Sequence, residues 1–248
     1  MYADSWYKKF GYKFNVDDQQ KKPEFEAEIN RFKRFISKNS SVLDIGAGLG
    51  RLAVPLAKEV RKLTAIEPAR AYMNIMKDKA ARDGLDNMEF SDDLWADFPL
   101  QKKYDLVCST WSRAAMDPAS LMKMHEASRG HCALEFVASP SNNNDFEQLY
   151  AMIMGEEYRY SGNYLNIITT LYDNEIYANL ETWKYDTVAS YQNIEDFVEM
   201  RRIGFEAYTH VTDEMVEQFR QFYKARMNPD GTYSYPTKGV ACMIWWKV

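Results

Sequence analysis

The sequence has few residues of the kinds that build metal centres or disulfide frameworks. Its 248 residues include three cysteines and three histidines, and neither set is clustered. An odd number of widely spaced cysteines argues against a disulfide framework and against a zinc site. We therefore expect no metal ion, and we expect Cys108, Cys132 and Cys242 to be small buried residues of strands.

An excess of positive charge and long apolar runs are also missing. The net charge of −5 argues against a protein that mainly binds the nucleic-acid backbone. No apolar run is long enough to span a bilayer, and the first ten residues, MYADSWYKKF, lack a signal-peptide core. We therefore expect a soluble cytoplasmic protein with no membrane partner. The sequence does not indicate an oligomeric state.

The most informative stretch is residues 42–50, VLDIGAGLG, which a helical pattern follows from Arg51. An apolar run that ends in glycines before a helix is typical of a buried parallel strand that turns into its crossover helix. Gly46, Gly48 and Gly50 allow positive φ and let a ligand approach the main chain. We expect amides at the helix start to face that ligand.

Neighbouring residues narrow the choice of ligand. A dinucleotide fingerprint would place its third glycine at position 51, where this chain has Arg51. The negative charge of Asp44 within the strand suits a cationic ligand better than a pyrophosphate. The second predicted strand, KLTAIEP, contains Glu67 near its end, where a carboxylate can accept both ribose hydroxyls. The structural alternative is a glycine turn in an unrelated α/β protein.

With these residues the sequence resembles the class I S-adenosylmethionine (SAM)-dependent methyltransferases. Their first motif is an acid-containing strand that ends in Gly-x-Gly-x-Gly. In that family the glycines lie under the methionine part of SAM, and the acid after the second strand holds the ribose. The resemblance implies SAM as donor and S-adenosylhomocysteine (SAH) as product. The donor-binding residues that it implies here are Asp44, Gly46, Ala47, Gly48, Gly50, Glu67 and Pro68.

The resemblance also implies an adenine site after the third strand, NMEF. In the family an acid at this point binds the exocyclic amine of adenine, and the next residue packs beside the ring. Counting back from the fourth strand favours Asp93 for the first role and Leu94 for the second. We expect Asp92 to belong to a solvated acidic turn.

The fourth strand is predicted over Tyr104 to Thr110, and a loop with Trp111 and Arg113 follows it. In an open α/β sheet this loop lies beside the topological switch point. In the resembled family it meets both the sulfonium and the substrate, which implies that Thr110 and Trp111 bind the donor. The sequence STWSRA lacks an Asn-Pro-Pro-Tyr signature, which argues against an amino group on a nucleobase as acceptor. Arg113 is either a partner for a substrate carboxylate or phosphate, or a solvated arginine.

The predicted fold is α/β: a doubly wound, mostly parallel seven-stranded sheet with an antiparallel last strand. Residues 1–248 form a single SAM-binding domain. Residues 1–22 either cap the pocket or form a loosely ordered terminus. Residues 142–182 and 190–238, after strands five and six, are helical and aromatic insertions that form a substrate-side cap.

Element boundaries follow from caps, breakers and periodicity. Asp117, Asn193 and Thr212 are predicted helix N-caps. Gly84 and Gly130 are predicted helix ends. Helices are also predicted over residues 23–38, 51–60 and 68–84, and strands over residues 131–139, 176–191 and 239–248.

Aromatic residues outside the donor motif supply the remaining candidates for the acceptor site. The insertion after strand five is rich in tyrosine, and phenols offer apolar walls with polar tips. The alternative is that most of these rings form an added small core. The substrate-side candidates are Tyr7, Tyr12, Arg113, Tyr160 and Tyr164.

The leading hypothesis is a SAM-dependent methyltransferase with a small-molecule acceptor. SAM carries its methyl on a sulfonium, so the enzyme must mainly align donor and acceptor and exclude water. We assign no catalytic base, since one is needed only for a protonated acceptor. The alternatives are a SAM- or SAH-binding sensor without transfer activity and a methyltransferase that acts on protein or RNA. An aminopropyl transferase is a lesser variant, and a nicotinamide dehydrogenase fits least well.

Overall fold

A computed structural model describes residues 23–112, 114–139, 144–158, 164–191, 193–206 and 208–248. In this part of the chain, seven strands form one sheet in the order β3-β2-β1-β4-β5-β7-β6. Strand β7 is antiparallel to β5 and β6, and the pairs among β1 to β5 are parallel. The predicted doubly wound sheet with an antiparallel last strand is confirmed. The strands are β1 (Ser41–Ile45), β2 (Lys62–Ile66), β3 (Met88–Ser91), β4 (Tyr104–Thr110), β5 (Ser128–Ser139), β6 (Asn179–Tyr191) and β7 (Tyr233–Lys247).

Helices separate the first five strands except β3 and β4, and further helices lie between the last three strands. None of the helices in the described residues is long and apolar enough to cross a membrane. They are α1 (Pro23–Lys33), α2 (Ala53–Ala57), α3 (Arg70–Arg82), α4 (Pro118–Ala127), α5 (Asn144–Met154), α6 (Tyr164–Asp173), α7 (Ile194–Phe205) and α8 (Asp213–Lys224).

Both faces of the sheet are covered. Helices α1, α2 and α3 pack on one face, which we call the α1 face, through residues such as Phe32, Leu56 and Met76. Helices α4 and α6 pack on the other face through Leu121 and Leu171. All five residues of β1 are buried, as expected for a central parallel strand with helices on both sides.

A third core lies beyond the sheet. The rings of Phe197, Phe219 and Tyr233 are fully or almost fully buried in it, and it joins α5, α7 and α8; we call this unit the cap. The pairing of β5 with β7 stops at Ser139–Val240, whereas β6 and β7 stay paired as far as Tyr191–Tyr233. The two-stranded ribbon therefore extends past the carboxyl end of β5 and carries the cap on that side.

Several predicted boundaries are confirmed. Strand β4 has the predicted bounds. The side chains of Asp117, Asn193 and Thr212 accept hydrogen bonds from the first turns of α4, α7 and α8, as N-caps do. Gly84 has φ +69° directly after α3 and its C-cap Asp83, as predicted for a helix end.

The prediction of a helix over residues 51–60 is wrong in extent, because α2 covers only Ala53–Ala57. Its N-cap, Leu52, has no side chain that can accept from the first turn. At the other end, the N–H of Lys58 and Glu59 bond to carbonyls three residues back. Such bonds tighten and end a helix. Helix α1 ends early in the same way, with Phe35 N–H bonded to Phe32 O.

The prediction that Gly130 ends a helix is also wrong. Helix α4 ends at Ala127, and Gly130 lies within β5, which begins at Ser128. A Cβ at position 130 would lie 2.3 Å from the carbonyl oxygen of Asp105. The glycine is therefore needed because β4 passes too close for a side chain.

Strand β7 begins six residues earlier than predicted, at Tyr233 rather than Gly239. Pro236 and Gly239 interrupt the apolar pattern of this segment, so the pattern does not predict a strand before Gly239. The structure pairs both residues with β6, opposite Val188 and Tyr185. Cross-strand pairing outweighs local propensity here.

We predict that Gly130→Ala destabilises the fold by about 1–3 kcal/mol, because the new methyl group collides with main chain that cannot move aside. The matched control is Gly204→Ala in α7, where a Cβ would meet nothing within 4 Å. That change should be neutral or stabilising by up to about 1 kcal/mol. Urea unfolding of both variants measures the difference, and equal stabilities would contradict the assignment of Gly130.

Candidate functional site

The glycine loop lies at the carboxyl end of β1, and its three glycines differ in role. Gly46, Gly48 and Gly50 have φ of +73°, +57° and +76°, a region that favours glycine. A Cβ at Gly46 would lie 2.8 Å from the Cβ of Ser112, and one at Gly50 would lie 2.6 Å from Cγ of Met76. A Cβ at Gly48 would meet nothing within 4 Å. Gly46 and Gly50 thus serve packing, while Gly48 leaves space beside the loop.

Glu67 follows β2 and fixes this loop. One carboxylate oxygen accepts the N–H of Gly48 at 2.8 Å, and the other accepts the N–H of Ala69 at 2.8 Å. Glu67 is 7% exposed, so these charge-assisted bonds form in a largely dry environment. The side chain therefore couples the loop after β1 to the segment that begins α3.

The sequence led us to expect that amides at the helix start would face a ligand. The amides of the loop before that helix are instead bonded within the protein. The N–H groups of Gly46 and Ala47 both bond to the carbonyl of Ile66 at 2.9 Å, and Gly50 N–H bonds to Ala47 O. With Gly48 N–H bonded to Glu67, these amides serve the loop itself. The loop therefore leaves open space on the side of Gly48.

Asp44 is the acid within the buried strand. It is 1% exposed, and its Oδ2 has no hydrogen-bond partner among the described residues. Its Oδ1 receives only a long contact of 3.9 Å from Sγ of Cys108. Burial raises the pKa of Asp44 to about 7, with Arg51 acting against the rise and Glu67 adding to it. A buried carboxyl with an unpaired oxygen is suited to a cationic group.

Two ion pairs from α1 flank the site. Both carboxylate oxygens of Glu28 accept hydrogen bonds from the two terminal guanidinium nitrogens of Arg51, with Nη2 at 2.7 Å from Oε1. Arg31 forms a bidentate pair with Glu135 of β5 at 2.8 and 3.0 Å. Glu28 and Glu135 are almost fully buried, and burial raises the pKa of Glu135 while Arg31 opposes the rise. These pairs were not predicted from the sequence.

The adenine candidates lie in the exposed turn after β3. Oδ2 of Asp93 accepts from the hydroxyl of Ser91 at 2.6 Å, and the N–H of Asp93 donates to Oγ of Ser91 at 3.2 Å. Leu94 is 58% exposed, which is unusual for a leucine beside a core. Oδ2 of Asp92 lies 3.6 Å from Nε of Arg70, and both side chains are exposed. Pro68 is also exposed, on the turn between Glu67 and α3.

At the end of β4, Thr110 is half-buried and Trp111 turns out of the strand. Trp111 has φ +51°, rare for a bulky residue, and is 47% exposed. Its N–H donates to the carbonyl of Glu135 at 2.8 Å. Its ring meets the ring of Tyr185 edge-on, with centroids 6.3 Å apart.

Of the remaining candidates, the structure describes one, Tyr164. Tyr7, Tyr12, Arg113 and Tyr160 lie outside the described residues. Tyr164 begins α6 and packs against the core on the face opposite α1. The three cysteines are buried and free, and the described residues contain no group of three or more side chains suited to a metal ion.

Comparison with known proteins assigns this site to a class. Residues 42–132 match a family model described as a methyltransferase domain. This span contains the glycine loop, Asp44, Glu67, Asp93 and Trp111. Over residues 42–132 the chain is therefore similar to a methyltransferase domain, and its seven-stranded sheet with antiparallel β7 has the class I methyltransferase fold.

Solved structures agree on the fold. The YcgJ protein of Bacillus subtilis has a TM-score of 0.61 at 15% identity, over 90% of this chain and 97% of that one. Magnesium protoporphyrin IX methyltransferase of Synechocystis PCC 6803, with bound SAH, has a TM-score of 0.54 at 16% identity, over 66% and 76%. These similarities show the fold that the two proteins share with this chain.

A curated relative matches in sequence over a shorter span. A probable ribosomal RNA small subunit methyltransferase A of Methanosphaera stadtmanae is 40% identical over 76 residues. The match covers 30% of this chain and 27% of that protein. The matched part of the chain thus spans about a quarter of the length of this relative.

We predict that Gly48→Val prevents SAH binding because its side chain fills the open space beside the loop. The matched control is Gly84→Val, since Gly84 also has positive φ and no neighbour within 4 Å of a Cβ. Both variants should lose about 1–2 kcal/mol of stability through backbone strain, but only Gly48→Val should lose SAH affinity. Calorimetry measures both, and equal SAH affinities would contradict the placement of the site.

We predict that Glu67→Ala weakens SAH binding by about 1–3 kcal/mol, because ribose hydroxyls lose an acceptor and two amides lose theirs. Glu89→Ala, which removes an exposed acid from the neighbouring strand β3, should leave the affinity unchanged. Calorimetric titration with SAH compares the two. An unaltered affinity in Glu67→Ala would remove Glu67 from the binding site.

Proposed function

We propose that this protein transfers the methyl group of SAM to a small-molecule acceptor. The observation that carries the proposal is the combination, at the carboxyl end of β1, of an open glycine, Gly48, with two buried acids. Asp44 has an unpaired oxygen, and Glu67 is fixed by main-chain N–H groups. These two carboxylates and the open glycine suit a ligand that has a cationic part and hydroxyl groups.

The residues fit SAM in the following way. The carboxylate of Glu67 accepts the N–H groups of Gly48 and Ala69, and we assign the ribose hydroxyls to the same carboxylate, since two carboxylate oxygens can accept about four hydrogen bonds. Asp44 supplies negative charge for the cationic methionine end, and the open side of Gly48 lets that end approach the main chain. We assign the adenine to Asp93 and Leu94, as the family resemblance implies, and the wall of the site to Ala47, Gly46, Gly50 and Pro68.

SAM carries the methyl group on a sulfonium, and loss of the methyl group to the acceptor leaves a neutral thioether. The protein must therefore align the acceptor with the methyl group and exclude water. The ribbon of β6 and β7 extends past the carboxyl end of β5 and supports the cap on the side where the acceptor would lie. We propose that the cap, within residues 142–182 and 190–238, closes this side together with residues 1–22.

A small acceptor is favoured over RNA because several described arginines of the cap are already paired with acids. Arg202 pairs with Glu199 and Glu206, and Arg220 pairs with Glu195 and Glu217. Affinity for RNA depends on cations that neutralise phosphates, and the whole chain has a net charge of −5. The ribosomal RNA relative matches only 76 residues, so RNA is kept as an outcome of the test.

The test is a transfer assay with methyl-labelled SAM. We expect label to appear in members of a panel of small phenols and carboxylates and not in total cellular RNA. Label in RNA alone would contradict the small-molecule acceptor. SAH binding without transfer to any phenol, carboxylate, RNA or protein would instead favour a SAM- or SAH-binding sensor.

We also predict that SAM affinity rises by about tenfold between about pH 5.5 and 7.5. In the free protein the pKa of Asp44 is raised to about 7, so much of this carboxyl is protonated below neutrality. A cationic ligand favours the ionised form, so binding releases a proton and tightens as the pH rises.

The Asp44→Asn variant identifies the group responsible. It should bind SAM more weakly at pH 7.5, and its affinity should no longer rise with pH. Glu135, whose pKa is also raised, is unchanged in this variant, so a slope that persists would assign the dependence to Glu135. Calorimetric titrations at several pH values provide the measurement.

A further inference from the structure

Trp111 is held in a strained position with its ring partly in solvent. Its positive φ of 51° is an unfavourable conformation for a tryptophan, and such strain concentrates at functional sites. The hydrogen bond from its N–H to Glu135 O holds the residue at the carboxyl end of β4. A large apolar ring that is 47% exposed beside the donor loop is available to contact a ligand.

Tyr185 provides a second ring, and its position depends on a glycine. It pairs with Gly239 across β6 and β7, and a Cβ on Gly239 would lie 2.8 Å from Cζ of Tyr185. The phenol therefore lies across the main chain of β7. Its ring is at 89° to that of Trp111, so the two rings form two walls of an aromatic corner.

Two ion pairs lie on the strands next to this corner. Glu135 of β5 is bonded to Arg31, whose guanidinium also lies 3.8 Å from the ring centroid of Trp183. On the ribbon, Asp186 pairs with Lys238 at 2.8 Å. A cationic ligand would require a carboxylate here and an anionic ligand a cation, and these four side chains already satisfy each other.

We propose that the corner of Trp111 and Tyr185 binds a flat, uncharged aromatic ring of the methyl acceptor. A third ring can stack on one of two perpendicular rings and meet the other edge-on. Aromatic corners also bind cations, but the paired carboxylates favour the neutral ring. This inference rests on the proposed function, because it names the acceptor class of the same site.

The test measures binding of defined probes to SAH-saturated protein by calorimetry. The neutral aromatic probe is 2-naphthol, and decahydro-2-naphthol is its non-planar counterpart. The charged probes are 2-naphthoate and 2-naphthylmethylammonium. We expect 2-naphthol to bind at least about fivefold more tightly than each of the other three, because stacking requires a flat ring.

Variants assign the binding to the corner. Tyr185→Leu removes one wall, and Gly239→Ala displaces the same phenol by a single methyl group. Each should weaken 2-naphthol about fivefold or more while SAH affinity stays within about twofold. Tyr177→Leu is the matched control, because Tyr177 is 74% exposed and contacts Tyr172 rather than the corner. If Tyr185→Leu fails to fold, Gly239→Ala still reports on the position of the ring.

The outcomes separate this inference from the proposed function. Equal binding of decahydro-2-naphthol, tighter binding of either charged probe, or no effect of both variants would overturn the aromatic corner while SAH binding stands. Absence of 2-naphthol binding to the SAH-bound protein would overturn it as well. Failure of SAH itself to bind would overturn the proposed function and the corner together.

Discussion

The bridge that Glu67 makes between two main-chain segments is the interaction on which the site depends. Its carboxylate binds the N–H of Gly48 and of Ala69, and the residue is buried where β2 ends. Without it, two amides would lose their partners and the loop after β1 would lose its connection to the start of α3. Under the proposed function the same carboxylate also binds the ribose of the donor, so one residue serves both the loop and the ligand.

Buried charge is the second constraint. Asp44, Glu28 and Glu135 are almost fully buried beside the glycine loop, and burying carboxylates without partners is costly. Glu28 and Glu135 are compensated by Arg51 and Arg31, which also fix α1 against the sheet. Asp44 keeps an oxygen without a hydrogen bond in the described part of the chain, and the proposed function assigns this carboxyl to the cationic part of SAM.

The elements that the sequence predicts well are those whose signal is local. The buried strand β4, the caps at Asp117, Asn193 and Thr212 and the glycine loop each follow from neighbouring residues. The sheet order follows from right-handed crossovers between parallel strands and from the family resemblance. The ion pair of Arg31 with Glu135 joins residues 104 positions apart, and the contact of Trp111 with Tyr185 also joins distant strands. Such pairs, like the approach of Gly130 to Asp105, depend on packing that no local pattern encodes.

The most direct test of this account is a calorimetric titration of the unmodified protein with SAM and with SAH. The account predicts that both bind at one site per chain, with dissociation constants in the micromolar range, about −7 to −9 kcal/mol. Binding of neither would show that the glycine loop, Glu67 and Asp44 serve structure alone or that the donor is a different molecule. The proposed methyl transfer would then have to be withdrawn.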